Sequence, residues 1–184
     1  MRPTEELKTE HGVIGELLMV MDSISNRLES GEKVEPQHLL LVVRLIREYA
    51  DQGHHAKEEG LLFPALEQAG IPREGGPLGM MEQEHGMGRQ LVGAMEEAAG
   101  RYARGDRDAG LDFAQAARNY VGLLSLHIGK ENDILFPMAD DRLSTEKQAE
   151  LEAAFREAQV RELGPERLAG LMRTLDMLKE VYLG

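Results

Sequence analysis

The segment His54-His55-Ala56-Lys57-Glu58-Glu59-Gly60-Leu61-Leu62-Phe63-Pro64 returns as His127-Ile128-Gly129-Lys130-Glu131-Asn132-Asp133-Ile134-Leu135-Phe136-Pro137. Both copies read His-x-x-Lys-Glu-x-x-[Leu/Ile]-Leu-Phe-Pro. In each copy the His and the Glu are four residues apart. On a helix that is one turn, so both side chains project from one face. An imidazole nitrogen and a carboxylate so placed can bind one metal ion, and two such helices facing each other can hold a pair. A single His-x-x-x-Glu is common on solvated helix faces. A repeat that carries Leu-Phe-Pro at identical offsets is not.

The composition narrows the chemistry. With 184 residues the chain can build one domain with a real core and a short extension. Ala, Leu, Glu and Met dominate and favour helix, while Val-Ile-Thr-Tyr runs are scarce, so an all-α fold is expected. A net charge of -12 argues against a nucleic-acid partner and against anionic membranes. There is no cysteine, which excludes thiolate zinc sites, iron–sulfur clusters and a Cys nucleophile. Any metal site must use His, Asp and Glu. The amino-terminal Met-Arg-Pro-Thr-Glu-Glu has no apolar signal region, and no run approaches the roughly 18 apolar residues of a membrane span. A cytoplasmic location is expected.

Four helices must position the repeat. The first is expected from an N-cap at Thr4 to Ser30-Gly31-Glu32, with a stripe of Leu7, His11, Ile14, Leu18, Met21 and Leu28. The second starts at Pro36 and carries Leu39, Val43, Ile46, Ala50, His54, Glu58 and Leu61. It should stop at or just before Pro64, with a short turn of helix through Leu66. Residues 70–79 read as a loop. The third helix carries Met81, His85, Gly88, Val92 and Met95 and ends near Gly100 to Gly105. The fourth follows Asp106–Asp108, carries Phe113, Ala117, Tyr120, Leu124, His127, Glu131 and Ile134, and is closed by Pro137. Helices of roughly 20 residues, each about 30 Å long, with short connections predict an up-down-up-down four-helix bundle over 1–142. A carboxy-terminal helical extension, 143–184, adds two helices. One is capped by Ser144 and ends near Glu162. The other follows Gly164-Pro165 and carries Leu168, Leu171, Leu175, Leu178 and Val181. They are expected to pack on the bundle or to mediate a homo-oligomer.

Each of the four helices thus places a His on its apolar stripe: His11, His54, His85 and His127. Two add a carboxylate, Glu58 and Glu131. A buried unpaired carboxylate costs several kcal/mol, so two of them on apolar stripes call for a common partner. Taken singly, His11 and His85 read as hydrogen-bonded core residues; with the repeat they read as ligands. Imidazole and carboxylate without thiolate suit iron, manganese or zinc.

At these residues the chain resembles the hemerythrin-like, or HHE cation-binding, proteins. The resemblance covers about residues 5–140 and follows the family's order: a His on helix one, His-x-x-x-Glu on helix two, a His on helix three, and His-x-x-x-Glu on helix four. It implies a non-haem di-iron site with two ions per chain. Glu58 and Glu131 would bridge them, and His11, His54, His85 and His127 would be terminal ligands. One departure matters. Oxygen-carrying members have two His residues four apart on helix three, and here the positions flanking His85 at that spacing are Met81 and Arg89. Neither ligates iron readily. An open position for water or oxygen, a supplementary ligand such as His55, or a weakly held second ion would follow, and reversible oxygen carriage is in doubt.

The neighbouring residues have plainer readings. His55 points about 100° from His54 on a regular helix and is expected half-exposed on the flank, with a supplementary metal ligand as the alternative. His38 and Glu59 are expected in solvent. Glu82 and Glu84 sit close to His85, either supporting it or simply at the surface, and Arg89 either reaches a bridging carboxylate or is solvated. Tyr120 reads as ordinary core, and the Met residues at 19, 21, 80, 81, 87 and 95 as packing.

Three functions compete. The first is a di-iron protein that binds or senses oxygen, nitric oxide or peroxide, or acts in iron homeostasis. The second is a di-iron enzyme with peroxidase- or oxidase-like activity. It is disfavoured because carboxylate-rich oxidases use Glu-x-x-His pairs and more carboxylates. The third is a helical interaction module with a structural metal.

Overall fold

The computed structural model describes residues 1–184 and contains helices but no strands. The helices are α1 (Pro3–Glu29), α2 (36–68), α3 (Pro77–Ala103), α4 (109–142), α5 (Thr145–Glu162) and α6 (Gly164–Leu183).

Their ends follow local chemistry, with one correction. Thr4 does not cap α1. Pro3 already occupies the first turn, where its fixed φ suits the helix and its missing amide costs nothing. Thr4 is instead buried and donates its hydroxyl to Asp140 at 2.7 Å, tying α1 to the end of α4. At the other end Gly31 takes φ +80°, which lets the Glu32 amide reach back to the Arg27 carbonyl at 2.9 Å. The Asp106 carboxylate accepts from the amides of Asp108 and Ala109 at the start of α4. Ser144 caps α5 as expected, accepting from the Lys147 amide at 3.2 Å. Pro77 starts α3 inside the expected loop, which is therefore shorter than 70–79.

Pro64 and Pro137 do not end their helices. α2 and α4 run straight through them because wide π turns precede both prolines, at Glu58–Leu62 and Glu131–Leu135. The Phe63 amide bonds the Glu58 carbonyl, and the Phe136 amide bonds that of Glu131, five residues back. The widened ladder takes up the proline ring and its lost donor. It also admits one more residue per turn, which moves the buried stripe along by one. Leu62 and Leu135 are buried where Leu61 and Ile134 were expected, and Ile134 is 56 % exposed. A longer π stretch, Ile46–His55, leads into the first copy of the repeat.

In the packed chain α4 lies along α1 and α3, α2 packs on α3, α6 on α1 and α2, and α5 on α1 and the π turns of α2. Two apolar clusters result. The larger holds Ile14, Met21, Ala50, Val92, Met95 and Leu124; the smaller holds Leu7, Leu62, Phe63, Met81, Leu135 and Phe136. On α1 to α4 the conspicuous histidines fall between residues of the two clusters, so a polar layer separates two apolar ones. Met21, Met81 and Met95 pack as expected, but Met19, Met80 and Met87 are exposed.

The carboxy-terminal helices belong to the same cores. Leu171, Leu175, Leu178 and Tyr182 join the larger cluster, and Leu151 and Phe155 the smaller. Packing within the chain, one of the two expected uses of these helices, is observed. Tyr182 rather than Val181 ends the stripe of α6. His38, expected in solvent, is half-buried, and its Nδ1 lies 2.8 Å from the Tyr182 hydroxyl. No helix is long and apolar enough to cross a membrane.

If α6 is part of the core, Leu178→Ala should destabilise the fold by about 2–5 kcal/mol, the usual cost of emptying a fully buried Leu site. Denaturant unfolding followed by circular dichroism measures it. A change under about 0.5 kcal/mol would place α6 outside the cooperative unit.

Candidate metal centre

The six residues singled out by the repeat and the stripes, His11, His54, Glu58, His85, His127 and Glu131, are all buried and converge in the polar layer. The imidazoles form two facing pairs. His11 Nε2 lies 3.0 Å from His54 Nε2, and His85 Nε2 lies 2.9 Å from His127 Nε2. Each carboxylate spans both pairs. Glu58 reaches His54 Nε2 and His85 Nε2, both at 3.4 Å. Glu131 reaches His127 Nε2 at 3.3 Å and His11 Nε2 at 3.2 Å. These approaches lack hydrogen-bond geometry, and none of the four carboxylate oxygens has a hydrogen-bond partner.

An outer ring fixes the imidazoles. His54 Nδ1 donates to Glu10 at 2.8 Å, His127 Nδ1 to Glu84 at 2.8 Å, His85 Nδ1 to Glu59 at 2.7 Å, and His11 Nδ1 to the Asn132 side-chain oxygen at 2.8 Å. A carboxylate or an amide oxygen can only accept, so each Nδ1 is a protonated nitrogen and the Nε2 atoms turn inward as potential ligands. Cations hold the ring in turn. Lys57 donates to Glu10 and, at 2.8 Å, to Glu6; Lys130 donates to Glu84. Arg89 donates to Glu59 at 2.7 Å and to Asp51 at 2.8 Å. Glu59 is therefore not a solvated residue but the anchor of His85. Glu84 is a support, but of His127 rather than of its neighbour His85. Arg89 is exposed yet paired, to these outer acceptors rather than to Glu58 or Glu131.

Sequence reasoning missed Glu10, Lys57 and Asn132. A signal for each was present. Glu-His occurs at 10–11 and again at 84–85, the residue after each motif Glu is an acceptor, and the Lys of each motif is invariant between the copies. α1 with α2 and α3 with α4 thus build the same hydrogen-bond pattern twice.

His55 breaks the pattern, because its counterpart is Ile128. It is buried at 5 % exposure rather than half-exposed on a flank. The π stretch that contains it rotates less per residue than a regular helix, so His54 and His55 both face inward. Its ring stacks on that of His85 with centroids 4.0 Å apart, and Asp51 lies 3.5 Å from Nδ1. Burial, then the charge of His85, pushes its imidazole well below the usual range, so it is neutral and able to ligate. Burial would raise Glu131, but contacts from His11 and His127 outweigh it and hold the carboxyl well below its ordinary value. Burial likewise opposes a charge on His54, but Glu58 and Glu10 prevail and raise it to about 10.

Two sets of donors lie within 4.8 Å of one another: His11, His54, Glu58 and Glu131, and His55, Glu58, His85 and His127. Glu58 belongs to both. Buried carboxylate oxygens without partners, ringed by inward-facing imidazole nitrogens, fit a metal site of nitrogen and oxygen donors.

The hemerythrin HHE cation-binding domain matches residues 2–139. The chain belongs to this family. The match takes in α1 to α3 and nearly all of α4, with every donor above, and ends before α5. Uncharacterized proteins of Mycobacterium tuberculosis (strain H37Rv) and Mycobacterium bovis are similar along almost the whole chain. Each is 25 % identical over 177 residues, covering 96 % of this chain and 68 % of theirs. No solved structure matches.

For an HHE protein with this outer ring, Glu10→Ala or Glu84→Ala should weaken metal binding roughly 10–100-fold while the fold survives. Competition with a coloured chelator reads the affinity, with the exposed Glu150→Ala as control. Equal affinities in all three variants would reduce the outer carboxylates to surface charges.

Proposed function

We propose that the chain is a non-haem di-iron protein that binds or senses a small ligand: oxygen, nitric oxide or peroxide. The observation that carries this is the placement of Glu58 and Glu131, each within 3.4 Å of one imidazole from both facing pairs and otherwise unpartnered. Glu58, common to both donor groups, and Glu131 would supply the carboxylate oxygens. His11 and His54 serve one, and His85 and His127 the other, with zinc or manganese as the alternative metals for this donor set. His55 completes the second group in place of the His that oxygen carriers have on helix three. The helices that hold the centre form an up-down-up-down bundle over 1–142, and 143–184 is an extension laid against it.

Iron, when bound, supplies a position to which a small ligand attaches. The protein's own contribution is orientation and exclusion. Outer-ring acceptors hold His11, His54, His85 and His127 each in one tautomer, and apolar layers on both sides keep bulk water from the carboxylates. A role in iron homeostasis rests on the same site. An enzymatic role has less support, since the only residues here with the placement of a base already anchor histidines.

Metal analysis of the aerobically purified protein, with its absorption spectrum, tests the proposal. About two irons per chain and oxo-bridge bands are expected, following the two donor groups. Glu58→Ala, which removes the donor common to both groups, should lose metal from both. Protein that holds no iron after iron-replete expression, and takes up none on reconstitution, would end the di-iron reading.

A further inference from the structure

The carboxy-terminal helices touch the centre at two points on α2. The first is Lys57, the lysine of the motif. Its ammonium is buried, donates to Glu6 and Glu10 of α1, and lies 5.4 Å from the centroid of the Phe155 ring on α5. A buried ammonium needs replacements for its lost water. Two carboxylates and the face of an aromatic ring supply them, and a ring at that distance attracts the charge. Glu10 in turn accepts from His54 Nδ1. A chain of contacts thus runs from the Phe155 ring to the Lys57 ammonium, to Glu10, to the His54 imidazole.

The second point is Gly53, the residue before His54. Leu163, at the turn between α5 and α6, lies over it so closely that an added Cβ would meet Leu163 Cδ1 at 2.9 Å. Gly164 makes that turn with φ +69°. Just beyond it, Arg167 Nε donates to Glu48 at 2.8 Å. Gly53 and Glu48 both belong to the π stretch Ile46–His55, which aims His54 and His55 inward. A π ladder of this length is uncommon, and here the α5–α6 turn packs directly on it.

The other copy of the motif has no such cover. Lys57 corresponds to Lys130 and Gly53 to Leu126. Lys130 is half-exposed, and Leu126 is 72 % exposed. α5 and α6 also lie outside the residues that match the family. The two donor groups share a hydrogen-bond pattern, but only one is held from outside.

We propose that Phe155 and Leu163 are positioning residues of the metal centre. Through Lys57 and Gly53 they fix His54, so an ion held by His11 and His54 leaves more slowly than one held by His85 and His127, a difference that rests on the di-iron reading for the ions themselves. An imidazole free to turn lets go of a metal more often than one held at its other nitrogen.

Iron is the probe. Ferrous protein, loaded and handled without oxygen, is mixed with an excess of a coloured chelator, and release is followed in time. A fast and a slow phase are expected. Glu84→Ala should speed the fast phase and Glu10→Ala the slow one, which assigns them. Phe155→Leu keeps the core filled but removes the ring face, and Leu163→Ala uncovers Gly53. Each should speed the slow phase roughly 10-fold, the scale on which an imidazole's support acts, and leave the fast phase as it was. Leu178→Ala, near the far end of α6, weakens the fold without touching either contact and should alter neither phase. A second arm needs no metal: ring signals of ¹⁵N-labelled histidine are recorded in the metal-free chain, with His54 assigned by its loss in His54→Gln. Phe155→Leu should move the His54 signals and leave those of His85 and His127. That movement in a chain that takes up no iron would reject the di-iron reading and keep Phe155 as a positioning residue. A single phase in the unmutated protein, both phases accelerated alike in Phe155→Leu and Leu178→Ala, or His54 signals unmoved in Phe155→Leu would overturn the positioning role.

Discussion

Glu58 and Glu131 have no exposed surface, and the rest of the centre answers to that fact. An ionised carboxylate inside a protein costs several kcal/mol unless partners replace its water. Here the replacement is built in shells of alternating character. Imidazoles surround the two carboxylates, carboxylates and an amide hold the imidazoles, and Lys57, Lys130 and Arg89 hold the outer carboxylates. Each shell gives the one inside it an orientation it would not keep alone. The family to which the chain belongs is named for binding cations, and a cation at the middle would sit in contact with both Glu58 and Glu131.

The backbone makes the same accommodation twice. Each motif Glu opens a π turn, and each π turn is followed by Phe-Pro. A proline in an α-helix removes a hydrogen bond and crowds the carbonyl four residues back. The wide turn relieves both, and it shifts the apolar face so that Leu62 and Leu135 close the layer below the carboxylates. The Leu-Phe-Pro tail of the repeat is thus part of the geometry that sets the Glu side chains, not a stop signal. π turns cluster at functional sites because they re-aim side chains at a local cost in helix regularity.

The helical class and the convergence of His11, His54, His85, His127, Glu58 and Glu131 were legible because each depends on short-range periodicity. A His and a Glu four apart share a face whether the turn is regular or slightly widened. Where the turn widens, the reading failed by one residue: Leu61 for Leu62, Ile134 for Leu135, and a flank position for the buried His55. No local propensity distinguishes a π turn from an α turn; the extra residue is imposed by packing and by the proline beyond it. The outer ring was hidden for another reason. Glu10, Glu59, Asn132 and Lys57 are ordinary surface residue types, and their partners lie on other helices, so only tertiary structure joins them. Thr4 and His38 misled similarly, each being held by a partner more than a hundred residues away.

What the two halves do not share matters as much as what they do. Around His54 the outer ring is sealed. Lys57 is 2 % exposed, with its ammonium 5.4 Å from the Phe155 ring centroid, so α5 closes that side. Around His127 the equivalent Lys130 is half-exposed, and Arg89 lies at the surface. A centre enclosed equally on all sides would exchange nothing with solvent; one open on both would lose the dry surroundings its carboxylates require. The chain covers one half with α5 and leaves the outer cations of the other half at the surface. The carboxy-terminal extension is then not separate from the site. By closing the α1–α2 side it leaves Arg89 and Lys130 as the more exposed cations of the outer ring.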